Sequence, residues 1–335
     1  MLDTLKKIAI GILVFLGALG VIGTGIVMIQ GTGQKQARPD KDLDQILEAR
    51  NVSGRFSVMV ARNPHRFYGS TLQDEKQNPN QVYERHFPPQ EDGRHAVFNI
   101  GAGEHFTAMA IMMLADAGSL ELDGLARDLD PLLPEPFQKI TVRSLLTHTS
   151  GLHANQLDVN QIDSLDASPL EVARYAPVNV MVLNRLVKKL SGQETWEYIE
   201  AKLIEPLGLE HTTYTPGAEG NPGAWSTCMS DLDRWEMTMN SNRFVKLKTL
   251  LASFTAPKLD DGQWGQYGFG WSIESYRNFR IEQTADPAAP CKVIRFSEKG
   301  LSIIVMTEDA SFDFGKLARQ ICDIYLGRET RFNAR

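Results

Sequence analysis

The 335 residues carry 42% hydrophobic and 23% charged side chains, a globular composition long enough to bury about three quarters of the unfolded surface in one domain or two closely packed lobes. A formal net charge of −6, with no Lys/Arg run interleaved with aromatics, excludes nucleic acid as a general partner. Cys228, Cys291 and Cys322 stand far apart without a CxxC, which excludes a Cys-rich zinc site and argues against a disulfide framework, leaving one bridge open.

In chain order, the first predicted element is Ile8 to Ile29, "IAIGILVFLGALGVIGTGIVMI", which holds no charge. At about 1.5 Å per residue it spans about 33 Å, enough for a bilayer core of about 30 Å. Lys6 and Lys7 precede it and favour a cytoplasmic N-terminus, although Lys35, Arg38 and Lys41 beyond it weaken that asymmetry. The run exceeds a signal-peptide core and no A-x-A site follows, so an uncleaved signal-anchor is expected over a cleaved signal peptide. The expected layout is a cytoplasmic tail at 1–7, a transmembrane helix at 8–30, a polar linker at 31–41 and one domain at 42–330.

Within that domain, "DLDQILEAR" predicts a short helix and "GRFSVMVAR" a strand. Gln73 to Asp92 reads as a long polar excursion before "HAVFNI" resumes an extended pattern. Phe106, Met109, Ala110, Met113, Leu114 and Ala117 follow helical spacing, and Gly118 suits the stop. Strand signals return in "YGFGWSIESY", "FRIEQ", "KVIRF" and "LSIIVMTED", followed by an amphipathic helix near Phe314 to Tyr325. The pattern predicts an α+β fold: an antiparallel sheet from about 42–100 and 260–330, its N-terminal strand joining the C-terminal ones, with an all-helical lobe inserted at about 101–250.

"ITVRSLLTHTSGL" resembles the motif that follows the nucleophile helix in β-lactamase-related serine hydrolases, the superfamily of class C β-lactamases, penicillin-binding proteins and their esterase and D-aminopeptidase relatives. "LADAGSLELDGLARDLDPLLPE", "LSGQETWEYIEAKLIEPLGLEHTTY", "WSTCMSDLDRW" and "YGFGWSIE" match further landmarks in order. The resemblance runs from about Asn51 to Leu326 and implies a β-lactamase/transpeptidase-like antiparallel sheet flanked by helices. It also implies a bacterial setting: an inner-membrane protein with a single span and a periplasmic C-terminal domain.

Three short motifs carry the chemistry of such proteins, and all three differ here. S-x-x-K puts Ser and Lys one turn apart on one helix face; aligned through "FNIG", the frame reads Ala102, Gly103, Glu104, His105. A methyl group cannot attack a carbonyl, and Thr107 lies on another side of the helix. Y-x-N reads "YAP": Tyr175 persists, while the Asn position is Pro177, which fits the first turn of a following helix. Asn179 substitutes only if the register moves. K-T-G or H-G-G corresponds to Gln283, Thr284 and Ala285, give or take a residue. Removing a single nucleophile costs about a millionfold in rate, so no catalytic residue is expected. Ala102, His105, Tyr175, Pro177, Gln283, Thr284 and Ala285 are the remnant pocket positions.

Several other side chains have bland readings. Glu104 suits the positive end of a helix dipole, and no HExxH surrounds Glu104 and His105, so no metal and no cofactor is expected. His105, in the lysine's place, is expected to titrate near neutrality if it faces the pocket. His148 reads as part of a loop's hydrogen bonding, and Cys291 as a small packed hydrophobe. The expectation is a membrane-anchored pseudoenzyme that binds a peptidoglycan-like peptide or an envelope protein, with the membrane held through Ile8 to Ile29. The alternatives are an amide or ester hydrolase with a non-standard nucleophile, and an architectural domain with a filled cleft.

Overall fold

The computed structural model describes residues 41–50, 53–62, 81–87, 93–217, 223–239, 241–309 and 311–326. The expected tail, transmembrane helix and linker lie outside them, and no helix among the described residues is long and apolar enough to cross a membrane.

The chain begins with helix α1 (Lys41–Glu48) and strands β1 (Phe56–Arg62), β2 (Gln81–Phe87) and β3 (Phe98–Asn99). Helices α2 (Glu104–Asp116), α3 (Ala126–Leu129), α4 (Val142–Leu146), α5 (Pro177–Ser191), α6 (Thr195–Ile199) and α7 (Glu205–Leu207) follow. Then come β4 (Thr213–Thr215), β5 (Ala224–Thr227), α8 (Met229–Thr238) and α9 (Leu247–Ser253). Strands β6 (Trp271–Tyr276), β7 (Phe279–Thr284), β8 (Cys291–Phe296) and β9 (Leu301–Thr307) lead to helix α10 (Phe314–Tyr325).

Six strands form one antiparallel sheet in the order β2-β1-β9-β8-β7-β6, so the N-terminal strand pairs with the C-terminal one as its alternation predicts. Because successive side chains point to opposite faces, β1 sends Val58 and Val60 to one side and Met59 to the other. Likewise β9 divides Ile303 and Val305 from Ile304 and Met306. The first face is covered by α1 and α10 through Leu43, Leu47, Leu317 and Ile321; the second packs on α2 and the helical region. Burial on both faces explains why β9 reads as a nearly unbroken apolar run.

Two expectations are corrected. The polar excursion from Gln73 to Asp92 contains β2, an edge strand that pairs with β1 from Phe56↔Phe87 to Val60↔Tyr83. An edge strand tolerates polar residues on its outer face, which hid it. The inserted region is also not all-helical, because it contains β4 and β5, which join β3 just before it in a three-stranded sheet. Its strands are too short for a periodicity signal. This small sheet positions the turn before α2: Ile100 N–H donates to Trp225 O (2.8 Å) and Trp225 N–H to Gly101 O (2.8 Å).

Candidate functional site

That turn decides the site. Gly103 caps α2 in the left-handed region (φ +62°), and a Cβ there would sit 2.4 Å from Trp225 Cδ1, so only glycine fits. The helix therefore begins at Glu104, and Ala102 stays outside it. The S-x-x-K spacing predicts positions 102 and 105 on one face, but the structure separates them. His105 borders a small cavity with Ile100, Gly103, Glu104, Thr284, Ala285 and Cys291 among its walls. Ala102 instead lines a different pocket of about 180 Å³, with Thr107, Asn184, Trp196, Tyr214 and Trp225. Thr107 Oγ1 donates to Asn184 Oδ1 there (2.9 Å).

His105 is buried against Phe106 and Trp235, with ring centroids 4.3 and 5.7 Å away. Burial lowers its pKa to about 3, so the expected titration near neutrality is corrected: the imidazole is neutral at any physiological pH. Gly270 explains the close packing, because a Cβ there would meet His105 Cα at 2.8 Å.

The polar centre of the site is Glu104, which the dipole reading placed at a helix end without a catalytic role. Its Oε1 lies 2.6 Å from His148 Nε2, and both side chains are buried. His148, in the left-handed region at φ +51°, belongs to the loop after α4. Its Nδ1 faces Ala176 N–H (3.3 Å) and Asn179 Nδ2 (2.9 Å). Ser150 Oγ accepts from Leu152 N–H and donates to Asn179 Oδ1 (2.6 Å), so the Asn179 amide turns its NH2 to His148. Two donors at Nδ1 leave the imidazole proton on Nε2, where it is given to Glu104. The loop role read for His148 is thus half of its environment; the other half is this carboxylate.

Pro177 occupies the first turn of α5 as predicted, and Asn179 in the same turn sends the amide into the site. Tyr175 and Tyr267 flank His148, with ring centroids 4.6 and 5.0 Å from it. Burial, then the negative charges of Glu104 and Asp286, raises Tyr175 far above the ordinary phenol range, so it remains protonated. Asp286 is itself raised by burial.

On the sheet side, Thr284 and Ala285 line the small cavity, while Gln283 and Ala285 border a neighbouring groove of about 410 Å³ that also includes Tyr267, Glu274, Lys292 and Arg319. Lys292 comes from β8 rather than β7 and donates its Nζ to Thr284 O (3.0 Å) and Asp286 O. Burial lowers its pKa. Cys291 is buried and its thiol is pushed up to about 12 by desolvation, which keeps it protonated. All three cysteines are free thiols.

Three buried polar atoms lack a hydrogen-bond partner and belong to residues of the small cavity: Glu104 Oε2, His105 Nε2 and Thr284 Oγ1. The cavity has room for about one water molecule, about 10 Å³. It can hold a small polar guest but not the carbonyl, flanking atoms and leaving group of an acyl substrate.

The family model described as Beta-lactamase matches residues 105–307. The chain belongs to the beta-lactamase family. Penicillin-binding protein 4* of Bacillus subtilis (strain 168) is 24% identical over 232 residues, covering 51% of this chain and 50% of that protein. Penicillin-binding protein 4 of Amycolatopsis lactamdurans is 27% identical over 197 residues, covering 50% and 52%. The chain thus spans about half the length of the curated relatives it matches. The octameric penicillin-binding protein homologue from Pyrococcus abyssi superposes with a TM-score of 0.65 at 20% identity, over 85% of this chain and 77% of that one. A putative beta-lactamase from Bacteroides dorei DSM 17855 gives 0.66 at 16% identity, over 85% and 98%. These structural likenesses show the fold. Within this beta-lactamase family member, the family match opens at His105, the last position of the S-x-x-K frame.

Of the sequence-derived positions, the structure brings His105, Thr284 and Ala285 together around one cavity. It places Tyr175 beside Glu104, Gln283 on the adjoining groove, Ala102 in another pocket and Pro177 in a structural turn. Sequence reasoning missed Glu104 with His148, Asn179, Tyr267 and Lys292 as members of the site. Lys292 alone left a signal, a charge within the apolar strand "CKVIRF".

Proposed function

We propose that this beta-lactamase family member is an acylation-incompetent binding protein of the cell envelope, tethered by the apolar segment Ile8 to Ile29 with its folded domain in the periplasm. The observation that carries this reading is the site itself: the nucleophile position is Ala102, which lines a different pocket from His105, and the Thr284 hydroxyl and Cys291 thiol border a cavity with room for about one water molecule. The proton-transfer groups point the same way. His105 stays neutral, and Tyr175 and Cys291 stay protonated.

The groove beside β7 supports a ligand of peptide type. It offers the amide of Gln283, the carboxylate of Glu274 and the cation of Arg319, groups that suit backbone amides and a terminal carboxylate. Several comparison proteins are named as penicillin-binding, and a D-alanyl-D-alanine peptide is therefore the probe of choice. Calorimetric titration of the full-length chain with such a peptide should give saturable binding, with the peptide recovered intact. Release of D-alanine would sink the proposal, and an absence of binding would remove this ligand class.

A further inference from the structure

A second cluster of chemically capable side chains lies outside the cleft. His211 precedes β4, Cys228 caps the N-terminus of α8, and Asp231 sits in the first turn of that helix. Their imidazole nitrogen, sulfur and carboxylate oxygen all lie within 4.8 Å of one another.

Each ligand atom is held by neighbours that leave it facing the others. Asp231 Oδ2 accepts from His211 N–H (2.8 Å) and Thr212 Oγ1 (2.9 Å), and Thr212 Oγ1 is in turn 2.7 Å from Thr227 Oγ1. With Oδ2 so occupied, Oδ1 is turned to His211 Nδ1 at 3.9 Å. Cys228 is fully buried, and its sulfur lies 3.1 Å from Ser230 Oγ. The His211 ring is stacked on His95, with centroids 4.8 Å apart and planes 24° from parallel, which limits its rotation. The two buried residues are prepositioned, and the half-exposed imidazole is the adjustable member.

We infer that His211, Cys228 and Asp231 bind one zinc ion, with a fourth coordination position open to solvent on the exposed side of His211. Tetrahedral zinc takes Zn–S near 2.3 Å and Zn–N and Zn–O near 2.0 Å, so its ligand atoms sit about 3.3 to 3.6 Å apart. The present spacing, at most 4.8 Å between ligand atoms, closes onto the ion by a contraction of about 1 Å. One sulfur, one nitrogen and one oxygen select zinc over magnesium and calcium, which require oxygen shells. On binding, the Cys228 S–H bond breaks, the S–Zn bond forms and the proton leaves to solvent, with no change of oxidation state. The Thr212 hydroxyl and the His211 amide orient the carboxylate, the kind of outer support that zinc ligands use. The ion would clamp the segment entering β4 to the start of α8, away from the cleft and independent of what the cleft binds.

The test is a cobalt(II) titration of the chelator-treated full-length chain, followed by zinc competition. The expected result is a near-ultraviolet thiolate-to-cobalt charge-transfer band that saturates at one equivalent and is abolished by zinc. Cys228→Ser should lose the band while Cys322→Ser keeps it. His211→Gln changes a half-exposed side chain, so the fold is kept, and should weaken cobalt binding at least about tenfold. No band in the natural chain, a band that persists in Cys228→Ser, or an unchanged affinity in His211→Gln overturns the inference.

Discussion

Two acid–base pairs are buried in this molecule, in different surroundings. Glu236 of α8 and Arg295 of β8 are both fully buried, with Nε 3.2 Å from Oε1, and the guanidinium lies 4.4 Å over the Phe254 ring and 5.4 Å over Trp271. Glu104 and His148 are also buried, but Glu104 borders a cavity and the pair is ringed by Tyr175, Tyr267, Asp286 and Lys292. Burial of an acid–base pair therefore does not mark a site. The mark is a cavity wall among other titratable groups, and by it the first pair fastens the sheet to a helix while the second belongs to the cleft.

The largest expected effect breaks the fastener. Arg295→Met leaves the Glu236 carboxylate buried without its cation and should cost about 3–5 kcal/mol in urea unfolding; a loss under about 1 kcal/mol would mean that the pair does not hold sheet to helix.

Next in size is the pH dependence contributed by His105 on the cleft side. The unfolded chain takes up a proton near 6.5 while the folded chain waits until about 3, so unfolding binds a proton within this window and stability falls as the pH drops. Between pH 6.5 and 5 the natural chain should lose about 2 kcal/mol more than His105→Leu. Parallel pH profiles would show instead that the imidazole reaches water.

Glu104→Gln sharpens the comparison. The amide oxygen still accepts from His148 Nε2–H, but a neutral bond replaces a charge-assisted one, so a loss of about 1 kcal/mol is expected. A loss as large as that of Arg295→Met would place both pairs in the same structural class.

The smallest effect belongs to Ala102→Ser, whose hydroxyl would enter the roomy pocket beside Trp225. Its stability should stay within about 0.5 kcal/mol of the natural chain, checked by thermal unfolding; a marked loss would mean that position 102 is tightly packed.

The main sheet was legible because its strands are buried on one or both faces and so carry alternating or continuous apolar patterns. The helix at Glu104–Asp116 showed the same clarity. Strands β2, β4 and β5 were not legible, since an edge strand keeps polar residues and strands as short as Thr213–Thr215 have no period to read, whereas β3 falls within the extended pattern of "HAVFNI". At the site, the positions that the resemblance implied fall apart in space: His105 and Thr284 border one cavity, Tyr175 stands beside His148, and Ala102 lines another pocket. The one-face argument assumes that the helix already runs at residue 102, whereas a left-handed glycine delays its start to Glu104. The Glu104–His148 pair joins residues 44 apart in the chain, and the zinc ligands join an imidazole to a cysteine across a strand pair. Such meetings are set by tertiary packing, and no local pattern announces them.

The central claim, a beta-lactamase family cleft without acylation chemistry, is tested most directly by intact mass spectrometry. The full-length chain is incubated with a penicillin and, separately, with a fluorophosphonate. The account predicts an unmodified mass in both cases. A covalent adduct on the natural sequence would contradict it, and the labelled peptide would identify the nucleophile.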